Sequence, residues 1–593
     1  LKGLSGKSSP MEVRKLLTMA DAVLKVLRFG KWRDAHNYVQ AWKYFFNGGR
    51  ENLLNLFLML LAEYHGLDAT YSPPTGIPDS YLAHPRSDRI FTALEDYLAW
   101  YDLPFWMNAN GPGGRKRPFI GILFYNDRYQ NGDFRDLSMV IEKLEAKGIG
   151  VIPAMSSGAE NFSSMKKFFI RAGKPGVDAI ISFLYFRIEG GPLGGDYQAF
   201  EAFCRKLNVP LISYLCMGYS TLGDWKSRSE GLYPMETNLS IILPELDGMI
   251  GGGLIAGGQE LPVKGRNMVR CMEPVEERVD RAVARTSNWL TLRYKANKDK
   301  KVAFILFNYP PGKDTIGSAG NLDAFGSLIK LLDRMREQGY TVSGYPRTRH
   351  EFIRLITKKN VVNQSNWTSL AKVKDNSFKV SQAQYREWFD ELPETCRQVM
   401  IKEWGDPPGS FMADDENLYI PGLAFGNIFV GFQPARGVHA DPTKTYHDTA
   451  LPPHHQYVAF YRYIEKVFQA DVAVHFGTHG TLEFLPGKQV ALSESCFPDI
   501  LMGALPHLYL YACSNPSEGM IAKRRSHAVL VNYMTPPMIV SDLYGSFAAM
   551  ETDIHNYYHL RDQSPARAKE LTEKILNDAK ENNLVDLEAS RVD

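Results

Sequence analysis

The sequence predicts an α/β fold built from several doubly wound parallel-sheet modules. Apolar runs of strand length, such as FIGILFY at residues 119–125, alternate with amphipathic segments that end in glycine. Continuous apolar runs are typical of parallel strands buried on both faces, and strands that alternate with helices favour a parallel sheet covered by helices. A length of 593 residues exceeds one core and indicates about three or four domains at the usual domain size.

The first two regions follow from this alternation. Residues 1–114 are predicted to be a helical N-terminal region, because GRENLLNLFLMLLAEYHG places apolar residues on one broad face between glycines. Residues 115–298 are predicted to be a first α/β module, with strands at 119–125, 151–152, 177–183 and 210–215.

A second α/β module with a polar insertion is predicted at residues 299–415. Its opening segment KKVAFILFNYPPG echoes RPFIGILFYNDR of the first module. In both modules the run is followed by an amphipathic helix that ends in glycine and then by a strand. We therefore expect two related modules that each begin a doubly wound sheet.

Residues 416–593 are predicted to be a histidine-rich α/β active-site region that ends in helices. The expected elements are a helix at 456–468, strands at 471–476 and 508–512, and a pair of helices within 545–582. The chain begins with Leu1 and stops in the charged stretch NNLVDLEASRVD. We therefore expect a fragment of a longer multidomain protein.

Composition excludes several classes of protein. A content of 44% hydrophobic and 23% charged residues is that of a soluble globular protein, and the longest apolar stretch is about half the length that crosses a bilayer. Charge is balanced, with 68 basic and 66 acidic residues, whereas a nucleic-acid-binding protein more often carries a basic stripe. Six scattered cysteines without a C-x-x-C pair indicate a reducing compartment, so a cytoplasmic location is expected.

Histidines are concentrated near the carboxyl end of the chain. Eight of the 14 lie between His439 and His527, and histidine is the side chain most used for metal binding and proton transfer near neutral pH. Any single one of them could instead cap a loop or pack in the core. The density of the cluster favours a functional site.

The segment VHFGTHGTLEF within this cluster has a readable geometry. Its strand would end at His475, and a helical turn from about residue 478 would place Glu483 four residues after His479 on one face. Ligands of open α/β sheets bind at the carboxyl ends of strands. Two imidazoles and a carboxylate can hold a divalent ion or act as bases. We therefore predict that these three residues are catalytic, either as ligands of a metal ion or as bases.

A basic segment, NPSEGMIAKRR, has two interpretations of equal weight. It would form a helix with Lys523, Arg524 and Arg525 in its last turns. These cations could be a solvated face that favours the helix end, or a clamp for substrate carboxylates. GLSGKSS near the start lacks the first glycine and the preceding strand of a P-loop, so no nucleotide-hydrolysis site is expected in this chain.

The chain resembles the large subunit of aerobic cobaltochelatase (the CobN family) and the homologous H subunit of magnesium chelatase. YHDTALPPHHQYVAFY and WGDPPGSF are similar to the cobalt branch, whereas HFGTHGTLEFLPGKQV and NPSEGMIAKRR are closer to the magnesium branch. Further matching passages are NGGRENLLNLFL, NYPPGKDTIGSAGNLDAFGS, IPGLAFGNIFVGFQPARG and CFPDILMGALPHLYLY. Together they extend from residue 47 to 537.

The resemblance implies a three-component chelatase. This subunit would bind a tetrapyrrole and a divalent metal as substrates. The stretch from Trp404 to Tyr461 favours Co²⁺ with a hydrogenobyrinic acid diamide, and Mg²⁺ with protoporphyrin IX is the alternative. An AAA+ ATPase subunit and a third subunit would use ATP to drive insertion. The alternatives of another class are a non-catalytic tetrapyrrole-binding protein and a metal-dependent hydrolase. Candidate substrate-binding residues are Arg436, His454, His455, Lys488, Lys523, Arg524 and Arg525.

Overall fold

The computed structural model describes most of the chain. The described residues are 30–101, 118–157, 160–189, 195–262, 268–307, 317, 319–363, 369–437, 448–477, 479–534, 545–561, 564–582 and 584. The rejected P-loop segment, the first part of the N-terminal helical prediction, and His439 and His447 lie outside these residues. No helix in the described part of the chain is both long and apolar enough to span a membrane.

Twenty-one α-helices are found among the described residues. They are α1 Lys31–Asn47, α2 Arg50–His65, α3 Leu94–Trp100, α4 Asp127–Asn131, α5 Arg135–Ala146, α6 Asn161–Phe168, α7 Tyr197–Leu207, α8 Leu222–Ser227, α9 Pro234–Thr237, α10 Leu243–Leu246, α11 Glu276–Tyr294, α12 Ala324–Glu337, α13 Arg349–Lys359, α14 Leu370–Val373, α15 Gln382–Asp390, α16 Glu394–Trp404, α17 His455–Arg462, α18 Phe497–Met502, α19 Pro516–Arg525, α20 Ser546–Leu560 and α21 Pro565–Glu581.

Seventeen strands are found in the same part of the chain. They are β1 Ser80–Ala83, β2 Ile90–Phe91, β3 Phe119–Tyr125, β4 Gly150–Ser156, β5 Ile170–Arg171, β6 Lys174–Pro175, β7 Ala179–Ser182, β8 Leu211–Thr221, β9 Ile250–Pro262, β10 Met268–Pro274, β11 Val302–Leu306, β12 Ser377–Ser381, β13 Asn417–Ala424, β14 Ile428–Phe432, β15 Val472–Phe476, β16 His507–Ala512 and β17 Val529–Tyr533.

Two large sheets contain all of these strands except β5 and β6, and the parallel strands of the two sheets share one order. The first has the order β10-β9-β8-β7-β3-β4-β1-β2, and the second β12-β13-β14-β11-β15-β16-β17. The parallel strands of each sheet, numbered by their order along the chain, lie in the order 2-1-3-4-5. This is a strand order of doubly wound α/β sheets, so the predicted fold class is confirmed.

The echo between the two modules coincides with equivalent strands. FIGILFY forms β3 and VAFIL forms β11, and each is the first parallel strand of its sheet. Both runs are almost entirely buried, as expected for strands with neighbours on each side. The two similar sequence segments therefore occupy the equivalent strand position in the two sheets.

The expected boundaries differ from the observed sheets at two places. β11 lies between β14 and β15 in the second sheet, so the expected boundary at residue 415 falls inside one sheet. β1 and β2 come from the region expected to be helical, and β1 pairs antiparallel with β4. The described residues up to 534 and those from 545 onward form separate compact units, and the second contains the predicted pair of C-terminal helices.

A buried ionic cluster joins the first module to the second sheet. Asp499 on α18 accepts hydrogen bonds from Arg278 at 2.8 Å and from Arg285 at 3.0 Å, both on α11. His527 Nε2 lies 3.1 Å from the same carboxylate. Burial alone would raise the pKa of Asp499, but the hydrogen bond with His527 and the charges of the two arginines hold it well below its ordinary value.

Candidate active site

The candidate site lies at the carboxyl ends of the central strands of the second sheet. β11 and β15, the first and third parallel strands, pair in parallel as far as Leu306 and Phe476. In this strand order the chain leaves adjacent strands in opposite directions there, which opens a crevice for ligands. The loop after β15 carries His479 and then a 3₁₀ turn, Leu482–Phe484, that contains Glu483.

Glu483 is a fully buried carboxylate. Its exposed fraction is 0%, and Tyr509 Oη lies 3.1 Å and 3.2 Å from its two oxygens. Burial raises the pKa of Glu483 above its ordinary value, while backbone N–H groups, the nearby His479 and the Tyr509 hydroxyl offset this in part. A carboxylate with a raised pKa is a stronger proton acceptor than one in water.

The turn that carries Glu483 is fixed by Gln433, the residue that directly follows β14. Gln433 Oε1 accepts hydrogen bonds from the Thr481 backbone N–H at 2.8 Å and from its hydroxyl at 3.1 Å. Tyr457 Oη lies 2.9 Å from the same hydroxyl and donates to it. Because Thr481 directly precedes the 3₁₀ turn, these hydrogen bonds fix the position of the turn that contains Glu483.

His475 is part of a buried hydrogen-bond chain. His507 Nδ1 donates to the Ser526 carbonyl at 3.0 Å, so its Nε2 accepts from His475 Nδ1 at 2.7 Å. His475 Nε2 must then accept, and Tyr461 Oη donates to it at 2.9 Å. Burial and the neighbouring His507 lower the pKa of His475 well below its ordinary value. Both of its nitrogens are therefore engaged in the fold.

His479 has a different environment from His475. It is half-buried, and its Nδ1 donates to the Gly480 carbonyl at 3.1 Å, which leaves the lone pair on Nε2. Its ring lies 5.0 Å from that of Phe307, the residue after β11. His479 therefore sits at the crevice between β11 and β15 with one nitrogen able to accept a proton or a metal ion.

The predicted three-residue ligand set is not assembled in this structure. Among the described residues, no group of three or more histidine, cysteine, aspartate or glutamate side chains could hold a metal ion. The predicted helical turn from residue 478 is replaced by a 3₁₀ turn that starts at Leu482. His479 is close enough to Glu483 to lower the pKa of its carboxyl group. Both nitrogens of His475 are instead used in the hydrogen-bond chain.

His454 and His455 have structural partners. His454 Nε2 donates to the Ala435 carbonyl at 2.8 Å, and its Nδ1 caps α17 by accepting from the Tyr457 N–H at 3.1 Å. His455 donates to the Gly405 carbonyl at 2.9 Å and accepts from Tyr385 Oη at 2.9 Å. Both nitrogens of each ring are thus used within the protein, and their contact with substrate stays a prediction.

The predicted substrate-binding cations also have partners within the fold. Lys488 Nζ donates to the Lys226 and Arg228 carbonyls of the first module. Arg524 forms an ion pair with Glu245 at 2.9 Å. Arg436 and Arg525 are buried and donate to backbone carbonyls.

Lys523 is placed differently from the other cations. It lines a cavity of about 60 Å³ together with residues of β8, β9 and α10, such as Leu215, Leu254 and Glu245, and burial lowers its pKa.

The chain matches a family model described as CobN/magnesium chelatase over residues 42–593. It is 33% identical to the magnesium-chelatase subunit ChlH of Oryza sativa, with 96% of this chain and 40% of that protein covered. This chain belongs to the CobN/magnesium chelatase family. It is also 31% identical to the aerobic cobaltochelatase subunit CobN of Pseudomonas aeruginosa, with 92% of this chain and 42% of that protein covered.

A solved structure of a family member has the same fold. The catalytic subunit of cobaltochelatase from Mycobacterium tuberculosis has a TM-score of 0.70 and 25% sequence identity, with 98% of this chain and 49% of that chain covered. The chain thus spans less than half the length of each of these three proteins. The sequence resemblance to the chelatase family is confirmed.

Several residues of the candidate site were not predicted. Tyr509, Gln433 and Thr481 contact or position Glu483, and Tyr461 orients His475. Tyr509 lies in HLYLYA, where alternate residues of a strand share a face, so its aromatic alternation was an available signal. The glutamine gave none, because its partner is 48 residues away in the chain.

Gly480→Ala should disturb this site more than an ordinary glycine substitution. A Cβ at Gly480 would collide with Tyr509 Oη and lie 2.9 Å from Gln433 Oε1. We expect destabilisation by about 1–3 kcal/mol from overpacking, measured by chemical unfolding. The control is Gly76→Ala, since nothing lies within 4 Å of its added Cβ. Equal unfolding free energies for the two variants would contradict the crowding at Gly480.

Stability should fall as pH drops from about 6.5 to about 4. Burial lowers the pKa of His454, His507 and His527 to about 4, whereas an unfolded histidine titrates near 6.5. Between these values the unfolded chain binds more protons than the folded one, so the free energy of unfolding rises with pH. Unfolding at pH 7.5 and pH 5 measures this slope.

Two asparagine variants test the origin of that slope. His454→Asn removes one of the three titrating groups and should make the slope shallower, while His350→Asn, at an exposed position, should keep the wild-type slope. Identical slopes for wild type and His454→Asn would rule out His454 as a source.

Proposed function

We propose that this chain carries the tetrapyrrole- and metal-handling site of a chelatase large subunit that inserts cobalt into a hydrogenobyrinic acid diamide. The observation that supports the proposal most directly is the buried Glu483, held by Tyr509 at the crevice of the second sheet next to His479. The similarity to a cobaltochelatase catalytic subunit over 98% of the chain supports it further.

Insertion requires that two pyrrole N–H protons leave the macrocycle and that the ion loses water. A pyrrole nitrogen is a weak acid, so a positioned base lowers the barrier to proton removal. Glu483 is the proposed proton acceptor, because burial raises its pKa. His479 Nε2 is the proposed second acceptor or a ligand for the incoming ion. Exclusion of water from the closed site would strengthen both interactions.

Magnesium insertion into protoporphyrin IX is the second candidate. Its support is the 33% identity to magnesium-chelatase subunit ChlH, beside 31% to CobN. Ligand chemistry does not separate the two, because a carboxylate and one imidazole bind either ion. In both cases we propose an AAA+ ATPase subunit and a third subunit as the partners that use ATP.

The test is a metal-insertion assay with the full protein that contains this chain. The protein would be combined with the two partner subunits, ATP, and either Co²⁺ with hydrogenobyrinic acid diamide or Mg²⁺ with protoporphyrin IX, and absorption spectra would follow insertion. Cobalt insertion is expected. Magnesium insertion alone would replace the cobalt proposal with the second candidate. Macrocycle binding without insertion of either metal, seen as tryptophan fluorescence quenching, would identify a non-catalytic binding protein.

A further inference from the structure

Two buried arginines converge on the backbone that carries Glu483. Arg436 donates to the Phe484 carbonyl at 3.2 Å and to the Leu451 carbonyl at 2.6 Å. Arg525 donates through Nε to the Lys488 carbonyl at 3.0 Å, through Nη2 to the Leu485 carbonyl at 2.7 Å, and through Nη1 to the Glu483 carbonyl. Four carbonyls between residues 483 and 488 thus receive an arginine N–H.

These contacts suit the chemistry of both partners. Carbonyls at the end of a helical turn lack partners within the turn and carry partial negative charge. A buried carbonyl without a hydrogen bond costs about 1–3 kcal/mol. Guanidinium presents five N–H donors in a planar fork, so Arg525 can bind three carbonyls at once, whereas the compact ammonium of lysine cannot match that geometry.

The two arginines enter from separate parts of the second sheet. Arg436 follows β14, and Arg525 ends α19, the helix between β16 and β17. Their exposed fractions are 1% and 6%. The backbone of residues 483–488 is therefore held from two sides. The Tyr509 hydroxyl on β16 donates a hydrogen bond to the Glu483 carboxylate.

We propose that Arg436 and Arg525 are positioning residues that fix the 483–488 backbone and thereby hold the Glu483 carboxylate in its reactive place. Their guanidinium groups act on the protein chain and do not bind substrate carboxylates. This role rests on the proposed function of Glu483 in metal insertion. The restraint on the backbone itself can be measured without any activity.

Arg525→Lys separates positioning from substrate binding. We expect the insertion rate to fall about 10²-fold, the effect of a misplaced reactive group. The Kd of the tetrapyrrole, from tryptophan fluorescence quenching, should stay at the wild-type value. In Arg525→Ala, methylguanidinium should restore part of the rate. Arg205→Lys is the matched control, because Arg205 forms an exposed helical ion pair with Glu201, and it should insert metal like wild type.

Hydrogen exchange of the backbone amides of residues 481–485, 487 and 488 tests the restraint directly, since Pro486 has no N–H. We expect faster exchange in Arg525→Lys than in wild type and no change in Arg205→Lys. Unchanged exchange would overturn the proposal, as would a Kd that weakens in proportion to the lost rate. A wild-type protein that inserts no metal would overturn the proposed function instead, and the exchange measurement would still decide whether the arginines restrain this segment.

Discussion

Asp499→Ala should destabilise the protein by about 3–5 kcal/mol, the usual cost of breaking a buried ion pair from one side. The substitution would leave Arg278 and Arg285, each with 4% or less of its residue surface exposed, without their shared carboxylate. Arg278 would keep its ion pair with Glu277, whereas Arg285 would keep hydrogen bonds to the Gly252 and Gly503 carbonyls but lose the carboxylate that balances its buried charge. Since α11 and α18 belong to the two sides of the interface, the loss should loosen the contact between the modules.

Chemical unfolding followed by tryptophan fluorescence measures the effect at Asp499. The matched control is Glu201→Ala, which removes the carboxylate of an ion pair whose side chains are 79% and 63% exposed. Exposed pairs contribute about 0–1 kcal/mol, so this variant should unfold almost like wild type. If Asp499→Ala were as stable as Glu201→Ala, the ionic cluster would not hold the modules together.

Glu483→Gln should lower the rate of metal insertion by about 10²- to 10⁴-fold, the usual contribution of a positioned acid or base. The amide keeps the shape of the side chain and can still accept a hydrogen bond from Tyr509, but it cannot take up a pyrrole proton. Because the change is isosteric, the Kd of the tetrapyrrole should stay close to the wild-type value. The full protein with its partner subunits is required for the rate.

Glu494→Gln is the control for this substitution. Glu494 is an exposed carboxylate on the same module, so its neutralisation should change neither the rate nor the Kd. Wild-type insertion by Glu483→Gln would rule out Glu483 as the proton acceptor. A weaker Kd with an unchanged maximal rate would assign it to substrate binding instead.

The sequence predicted those parts of the fold that periodicity encodes. The strands β3 and β11 are continuous apolar runs, and their similarity anticipated two sheets with the same strand order. Sheet membership was harder to predict. β13 and β14 follow a long polar insertion, yet β14 pairs with β11 and β13 pairs with β14. Pairing between distant segments leaves no local pattern in the sequence.

The site shows the same division between local and distant information. The segment around His475, His479 and Glu483 was located correctly at the end of β15, since a strand followed by a glycine-rich turn is a local pattern. The roles of the arginines depend on what surrounds them in space. Arg525 was assigned to substrate by its charge, but its partners are carbonyls about 40 residues earlier in the chain.

The hydrogen-bond chain through His475 has one further consequence. Every hydrogen bond in this chain must point the same way, because the chain ends at the Ser526 carbonyl, which can only accept. The donors, in order, are Tyr457, Thr481, Gln433, Tyr461, His475 and His507. Its dipoles are therefore aligned before any substrate arrives. Fixed dipoles of this kind need no reorganisation when charge moves during a reaction. When Glu483 takes up a proton, the dipoles around it would therefore already be oriented.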